Sequence, residues 1–427
     1  MEQELRTGGR GGGNLRAHSS ACLSGALIDG PRIQQLLLHC AAALESNDVT
    51  LAQQAMWVLN NIASSQGDPS QRLTSWLLRA LVARACRLCA PPGSTTQSAA
   101  AAAAARTPAP RERAMSVTEL AEYVDLMPWH RFGFTASNGA ILRAVVGSAA
   151  VHVVDLSVTR CMQWPTLIDM LSKRAPGARR SFRITVPSAR PAVPPQLGVS
   201  DAEIGLRLAN FAKSKGVQLH FSVVEGVTSP PPEKQAAALC QDLASVLSDR
   251  QALGLRDGEA LVVNCQSWIR HVAPGSRDAF LGAVRALNPC LVTVTDEDAD
   301  LDSPSLATRI AGCFDFHWIL FDALDTSAPR DSPRRAEHEA AVGRKIEGVV
   351  GADDADGAER SESGARLAER MRRNGFVSVA FDEEAAGEVR RLLSEHATGW
   401  GMKREEDMLV LTWKGHGAVY TSAWMPN

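Results

Sequence analysis

The sequence predicts an α/β protein whose mainly parallel β-sheet ends in an antiparallel hairpin and follows an all-helical region. The first supporting observation is that short, β-branched apolar runs alternate with helical stretches across residues 151–296. Strands that alternate with helices in this way form parallel sheets covered on both faces. The second is that two strand-like runs near the end of the chain are separated only by Gly415-His416-Gly417, which predicts a hairpin.

The composition narrows the class of protein. The chain has 427 residues, 45% of them hydrophobic and 22% charged, which is ordinary for a globular protein. Its formal net charge of −2 gives no overall basic field that would indicate nucleic acid. No apolar run reaches the roughly 18 residues of a membrane span, so no membrane association is expected. The nine cysteines are odd in number and scattered, which favours a reducing compartment such as the cytosol or nucleus.

The helical region is expected to begin after residues 1–26, a glycine-rich segment that predicts disorder. Two amphipathic stripes then predict two helices. Their apolar positions are Ile33, Leu36, Leu37, Cys40 and Leu44 in the first, and Leu51, Ala55, Val58, Leu59 and Ile62 in the second. A third helix is expected to open at Asp68-Pro69. After a low-complexity loop at 91–114, further helices are expected near 116–126 and 131–146.

The sheet is expected to follow. Strand-like runs occur at 151–156, 182–186, 217–224, 260–265 and 290–296, and helical stretches at 163–173, 201–214, 234–247 and 277–287. The chain then shows a strand at 376–381, a helix at 383–396, and two strands at 407–414 and 419–424. The final strand is expected to run antiparallel at or near the sheet edge. This order is that of a Rossmann-like core of the class I methyltransferase type beneath a helical cap.

Such a core suggests an enzyme, and the turn after its first strand tests that idea. Ligands of doubly wound sheets bind at the carboxyl ends of the strands, and Asp155 ends the first one. The residues that follow include no glycine, although glycine allows the backbone to approach a cofactor closely. Val158 and Thr159 are poor candidates for a positive φ. The second strand ends without the acidic residue that would hold a ribose, so catalysis with a cofactor is not expected.

Other chemistry has little support in the sequence, which contains no phosphate-loop, metalloprotease or nucleophile-elbow motif. Cys86 and Cys89 form a lone CxxC, which favours one packed and one near-surface thiol over a zinc site. The acidic run at 295–300 favours a solvated loop over a metal site. His152 is interpreted as a hydrogen-bonded core histidine. No metal site is predicted.

Several motifs in order resemble one family. VHVVD (Val151, His152, Val153, Val154 and Asp155) and the following QWP (Gln163, Trp164 and Pro165) resemble the VHIID element of the plant GRAS family of transcriptional regulators. The GDPSQR segment at 67–72 resembles its first leucine-rich region. The end of the chain, with Ser422, Ala423 and Trp424, resembles its SAW element. Residues 154–169 are most similar to the scarecrow-like branch of that family.

The resemblance implies one GRAS domain over residues 27–427. Its parts would be a first leucine-rich region at 27–90, the low-complexity loop at 91–114, a VHIID region at 115–181, a second leucine-rich region at 196–230, a PFYRE region at 259–350 and a SAW region at 351–427. The chain departs from the commoner pattern at Cys161-Met162, where many members have a glycine, and it contains no LxxLL sequence.

The family further implies a nuclear, non-enzymatic regulator without a cofactor, which binds other transcription factors of the GRAS or zinc-finger type as a homodimer or heterodimer. DNA contact would be indirect or weak. The candidate partner-binding residues are Leu36, Leu37, Trp57, Trp76 and Trp129, with packing in the protein's own core as the alternative for each. Trp57 and Trp129 are the expected exposed anchors. The VHIID valines would build the centre of the sheet, and Asp155 would hydrogen-bond the backbone or the next helix.

Two alternatives remain open. Direct nucleic-acid or nuclear-import contacts would use basic side chains at Lys173, Arg174, Arg179, Arg180, Arg183, Arg334 and Arg335. Their alternative is an ordinary charged loop surface. A methyltransferase that uses S-adenosylmethionine would instead bind it through Asp155 and the loop after that residue.

Overall fold

The computed structural model describes residues 17–89, 114–159, 161–174, 181–188, 190–191, 197–225, 246–351 and 359–427, with backbone alone at 17–29. The loop at 91–113 and most of the helix expected at 234–247 lie outside these residues. Five helices come first: α1 (Ala17–Glu45), α2 (Val49–Ile62), α3 (Pro69–Leu88), α4 (Val117–Leu126) and α5 (Trp129–Ala144). Because α1 begins at Ala17, the expectation of disorder through residue 26 is wrong for 17–26.

The remaining elements alternate before they end in antiparallel strands. The strands are β1 (Ala150–Ser157), β2 (Ser181–Pro187), β3 (Gln218–Val224), β4 (Ala260–Gln266), β5 (Leu291–Glu297), β6 (Phe376–Ser378), β7 (Trp400–Glu405), β8 (Met408–Trp413) and β9 (His416–Pro426). The helices are α6 (Trp164–Arg174), α7 (Asp201–Ser214), α8 (Arg277–Ala286), α9 (Leu306–Ser327), α10 (Pro333–Gly351), α11 (Gly364–Arg373) and α12 (Glu383–Leu393).

The strands form one mixed sheet in the order β3-β2-β1-β4-β5-β9-β8-β7, with β6 paired to β9. Strands β1 to β5 pair in parallel, and β9 is antiparallel to both β5 and β8. The predicted class I methyltransferase-like arrangement is therefore confirmed. The last strand is antiparallel as predicted, but it lies inside the sheet, because β7 takes the edge.

Burial on both faces explains why the central strands read as continuous apolar runs. In β1, every residue from Val151 to Ser157 is buried. Successive side chains point to opposite faces, so Val151 and Val153 pack into one apolar cluster while Val154 and Leu156 pack into another. The VHIID valines accordingly lie at the centre of the sheet, as expected.

The cap forms where the sequence predicts it. Helix α3 opens with a capping box, in which Asp68 accepts a hydrogen bond from the Gln71 amide at 2.9 Å and Gln71 accepts one from the Asp68 amide at 3.1 Å. Helix α3 packs on α1, α2, α9 and α10. Across the described residues, no helix is both long and apolar enough to cross a membrane.

The contact between α3 and α10 depends on a glycine. A Cβ on Gly343 of α10 would lie 2.2 Å from the Trp76 ring of α3, whereas a Cβ on Gly387 of α12 would meet nothing within 4 Å. Gly343 is therefore a packing requirement, and Gly387 is an ordinary helical glycine.

We expect Gly343→Ala to lower the free energy of unfolding by about 2 kcal/mol, because displacing the Trp76 ring outweighs the helix propensity that alanine gains. The matched variant Gly387→Ala should raise it by up to about 1 kcal/mol. Chemical denaturation of both variants measures this. Equal effects of the two substitutions would contradict the packing role of Gly343.

Candidate functional site

The carboxyl end of β1 carries a buried carboxylate. Asp155 is 2% exposed, and its oxygens accept hydrogen bonds from Trp164 Nε1 at 2.8 Å, Asn264 Nδ2 at 2.9 Å and Ser157 Oγ at 3.0 Å. Burial raises the pKa of Asp155, and the bonds from Asn264 and Trp164 oppose that rise. As expected, Asp155 bonds the helix that follows, and it does so through side chains.

These bonds belong to a larger buried network. Asn264 of β4 also donates to Gln163 Oε1 at 3.1 Å, and Gln163 Nε2 donates to Asn138 Oδ1 of α5 at 3.0 Å. Thr293 of β5 donates to Asn264 Oδ1 at 2.8 Å. All of these side chains are at most 2% exposed. We call this set, Asn138, Asp155, Gln163, Trp164, Asn264 and Thr293, the Asp155 network.

The Asp155 network occupies the part of the sheet's carboxyl edge around β1, and ligands of doubly wound folds bind along that edge. Trp164 is fully buried there, and its ring meets Phe182 of β2 edge-on with centroids 6.3 Å apart. Pro165 is half-buried in the first turn of α6. The QWP motif thus closes this edge with its glutamine and tryptophan.

The turn before α6 does contain a positive φ, at Cys161 with φ 66°. The sequence offers Val158 and Thr159 for this conformation, whereas the structure places the left-handed residue two positions after Thr159. This conformation costs a non-glycine residue roughly 1–2 kcal/mol. The commoner family pattern has a glycine where this chain has Cys161-Met162. Here Cys161 adopts the strained conformation instead, and its side chain is buried in the core.

His152 is a core histidine whose Nε2 has a hydrogen-bond partner and whose Nδ1 has none among the described residues. Its Nε2 lies 2.8 Å from Thr185 Oγ1, and its Nδ1 lies 3.5 Å from Glu259. Burial lowers the pKa of His152 to about 4, so the ring is neutral at pH 7. At the far end of the chain, Ser422, Ala423 and Trp424 are buried in β9, and Trp424 Nε1 donates to Ser422 Oγ at 2.9 Å.

The acidic run at 295–300 is only in part the solvated loop that the sequence predicts, because residues 295–297 belong to β5 and Asp300 alone is exposed. Asp296 and Glu297 are 3% and 7% exposed and end β5. Arg270 Nη1 lies 2.6 Å from Glu297, and Lys345 pairs with Glu297 and with Glu359. Burial would raise the pKa of Glu359, but Lys345 and Arg270 lower it to about 2. The apolar pattern predicts that this strand ends at residue 296. It gives no signal that Arg270 and Lys345, which are distant in sequence, pair with the acidic residues.

A cavity of about 130 Å³ adjoins this ion cluster, between the ends of β1, β4 and β5 and helices α4, α5, α9 and α10. Its lining includes Thr159, Ser267, Trp129, His130 and Lys345. Pockets for drug-sized ligands and cofactors measure about 300–1,000 Å³. The volume inside this cavity lies below that range.

The candidate partner-binding residues differ in exposure. Trp57 on α2 is 71% exposed, as expected of an anchor. Leu37 is fully buried, whereas Leu36 and Trp76 are half-buried, Leu36 against the same core and Trp76 on Gly343. Trp129 is half-buried and lines the cavity, so its expected role as an exposed anchor is wrong.

The basic candidates are largely paired. Lys173 lies 2.6 Å from Asp169, and Arg174 lies 2.5 Å from Glu384, although both remain at the surface. Arg179 and Arg180 lie outside the described residues.

Three further arginines of the nucleic-acid hypothesis are already engaged. Arg183 and Arg335 are buried in ion pairs with Glu259 and Glu339 respectively, and Arg334 pairs with Glu122 and Glu337. Arg183 and Arg335 therefore cannot contact DNA.

Metal ligands do not assemble in the part of the chain that the structure describes, where no group of three or more His, Cys, Asp or Glu side chains could hold an ion. Cys86 is half-buried and Cys89 is exposed, the arrangement expected for two ordinary thiols.

The fold defines an α/β domain of the class I methyltransferase type with a helical cap. The GRAS domain family model matches residues 33–425, so the chain belongs to the GRAS family, which is a family of transcriptional regulators.

Comparisons with individual proteins support this family assignment. The chain is 41% identical to Scarecrow-like protein 32 from Arabidopsis thaliana, over 93% of this chain and 94% of that protein. It is 35% identical to Protein SHORT-ROOT 2 from Oryza sativa subsp. indica, over 92% and 69% respectively. The crystal structure of SCL7 from Oryza sativa matches with a TM-score of 0.73 and 24% identity, over 92% of this chain and 99% of that chain, which supports the fold.

The hydrogen bond between Asp155 and Trp164 can be measured with a double-mutant cycle. We expect Asp155→Ala to cost about 3 kcal/mol or more, because it leaves the Trp164 and Asn264 donors buried without an acceptor. Trp164→Phe should cost less in the Asp155→Ala background than in the wild type, with a coupling energy of about 1–3 kcal/mol. Urea denaturation gives the four free energies. Additivity within about 0.5 kcal/mol would contradict this role.

Proposed function

We propose that this protein is a nuclear transcriptional regulator that acts as a non-enzymatic protein-interaction module. The observation that carries the proposal is the Asp155 network, whose buried side chains take up the sheet edge that a cofactor needs. A sheet filled in this way is a rigid scaffold, and its function then lies in the surfaces it presents. Membership of the GRAS family supports the regulatory role and the nuclear location.

The proposed partners are other transcription factors, of the GRAS or zinc-finger type, in a homodimer or heterodimer. The helical cap is the proposed contact surface, because Trp57 projects from α2 with 71% of its surface exposed. Tryptophan is enriched among the residues that dominate binding energy at protein interfaces. DNA contact would be indirect or weak, since the surface cations Lys173 and Arg174 are already paired with carboxylates.

A titration with S-adenosylmethionine and S-adenosylhomocysteine tests the non-enzymatic part. We expect no change in the thermal unfolding midpoint with either compound, because Trp164 and Gln163 fill the cofactor edge. A ligand present at 100 times its dissociation constant would stabilise the folded state by about 2.7 kcal/mol, which such a titration readily detects. A dose-dependent rise in the midpoint would instead support a methyltransferase.

Substitution of Trp57 tests the interaction surface. We expect Trp57→Ser to weaken binding to a GRAS or zinc-finger transcription factor by tenfold or more, about 1.4 kcal/mol, while thermal stability changes little because the side chain is exposed. The matched control is Val146→Ser, which removes a side chain that is 68% exposed beyond the end of α5. Isothermal titration calorimetry with purified partners measures both. Equal affinities for Trp57→Ser and the wild type would remove Trp57 from the interface.

A further inference from the structure

Strand β7 carries a lysine whose sequence context differs from that of every other lysine in the chain. Met402-Lys403-Arg404-Glu405 places a large apolar residue before the lysine and a glutamate two positions after it. The chain has seven lysines, and none of the other six has both neighbours. Lysine is the acceptor of ubiquitin-type modifiers, and the conjugating enzyme of the small ubiquitin-like modifier recognises this order of apolar residue, lysine, any residue and glutamate. A pattern of four residues also occurs by chance, so its structural setting has to fit as well.

The backbone around Lys403 is extended and lies at an edge of the sheet. Strand β7 is the last strand in the sheet order, and among the described residues it pairs with β8 alone. An edge strand leaves the main-chain groups of its outer side without a strand partner, and such edges commonly hold an extended segment of another protein. Glu406 and Asp407 separate β7 from β8, so the motif lies beside the tip of a hairpin. An enzyme that reads an extended segment can therefore approach it.

The side chains of the motif are placed for recognition. Successive side chains of a strand point to opposite faces, so Lys403 and Glu405 share one face of β7. Their side chains are 41% and 42% exposed, and they form an ion pair with each other. Met402 lies on the other face, where it is half-buried against the core. The lysine and the glutamate are thus both open to solvent, and part of the methionine remains accessible.

Lys345 is the instructive contrast. It is also followed two positions later by a glutamate, Glu347, but Arg344 precedes it in place of an apolar residue. Its side chain is 7% exposed, and its ammonium pairs with Glu297 and Glu359 in the ion cluster. Lys345 therefore lacks both the motif and the accessibility that conjugation requires.

Exposure without the motif occurs elsewhere. The side chains of Lys173 and Lys414 are 73% and 52% exposed, yet neither lysine is followed two positions later by an acidic residue. Among the lysines that the structure describes, Lys403 alone combines the motif with an exposed side chain.

We propose that Lys403 is an acceptor site for the small ubiquitin-like modifier. The unprotonated Nζ of Lys403 attacks the thioester carbonyl carbon that links the modifier's C-terminal glycine to the cysteine of the conjugating enzyme. An isopeptide C–N bond forms, the C–S bond breaks, the cysteine leaves as the thiolate, and the amine proton passes to solvent. An ATP-dependent activating enzyme supplies the thioester. The site lies on β7, whereas the proposed partner surface lies on α2, so it goes beyond the proposed regulatory function and does not depend on it.

Conjugation with purified enzymes tests the site. The full-length protein is incubated with the activating enzyme, the conjugating enzyme, the small ubiquitin-like modifier and ATP, and the products are mapped by mass spectrometry after proteolysis. We expect a single modifier, attached to Lys403. Lys403→Arg keeps the positive charge and should abolish this product.

Two further variants separate the motif from the general reactivity of surface lysines. Glu405→Gln keeps the acceptor but removes the charge that the conjugating enzyme binds, so it should lower the initial rate by about tenfold or more. Lys414→Arg is the matched control at another exposed lysine, and it should leave the rate unchanged. All three variants should unfold at temperatures close to that of the wild type, because exposed ion pairs contribute little to stability.

Three results would overturn the proposal. The first is the absence of a product from the wild type while the same enzymes modify another substrate that contains the motif. The second is an undiminished product from Lys403→Arg, which would place the modifier on a different lysine. The third is an equal rate for Glu405→Gln and the wild type. Because the reaction uses purified components and no transcription factor, its failure and a failure of the proposed function are distinguishable.

Discussion

The buried carboxylate of Asp155 is the constraint around which the centre of this fold is arranged. An ionised carboxylate loses several kcal/mol when it leaves water unless its oxygens receive hydrogen bonds. Among the described residues, no cation forms an ion pair with Asp155, so its close donors are the neutral groups of Trp164, Asn264 and Ser157, and the Cys161 thiol lies 3.6 Å away. Each donor lies on a different part of the chain. Satisfying one carboxylate therefore fixes the start of α6 against β1 and β4.

The carboxyl edge of the sheet is consequently divided into two halves with different chemistry. Around β1 the edge is closed by neutral hydrogen bonds and a tryptophan. At the end of β5 it holds the ion cluster of Asp296, Glu297, Arg270, Lys345 and Glu359, with a cavity beside it. Buried ion pairs contribute little net stability, but they fix geometry, because removing one partner leaves an uncompensated charge. Both halves hold the cap helices in defined positions, the first through Asn138 of α5 and the second through Lys345 of α10.

The sequence predicts the fold well because strand and helix periods are local signals. The five parallel strands and the hairpin follow from them, and so does the capping box at Asp68. Strand β7 was missed because Lys403, Arg404 and Glu405 give it the composition of a loop, yet an edge strand can carry charges on its open side. Helices α9 and α10 were also missed. Helix α9 is buried on most of its surface and so lacks the polar stripe that marks an amphipathic helix.

The site was less predictable, because its contacts join distant parts of the chain. The absence of glycine after Asp155 did not reveal the positive φ at Cys161, and the partners of Asp155 could not be predicted from that turn. Asn264 is 109 residues away, and nothing in its own strand marks it as a partner. The pairing of Glu297 could not be predicted for the same reason, because its partner Lys345 is 48 residues away. Exposure is equally non-local, so Trp57 and Trp129 looked alike in sequence although one is open to solvent and the other lines a cavity.

The cavity beside the ion cluster and the proposed contact surface on the cap are joined by one helix pair. Trp76 of α3 packs on Gly343 of α10, and Lys345, two positions further along α10, lines the cavity. Helix α3 in turn packs on α2, which carries Trp57. A change at the ion cluster can alter partner affinity only if it favours one position of α10 over another, because an equilibrium shifts only by a difference in free energy between the two states. Any such coupling is reciprocal, so a partner on the cap would change the equilibrium at the ion cluster by the same factor.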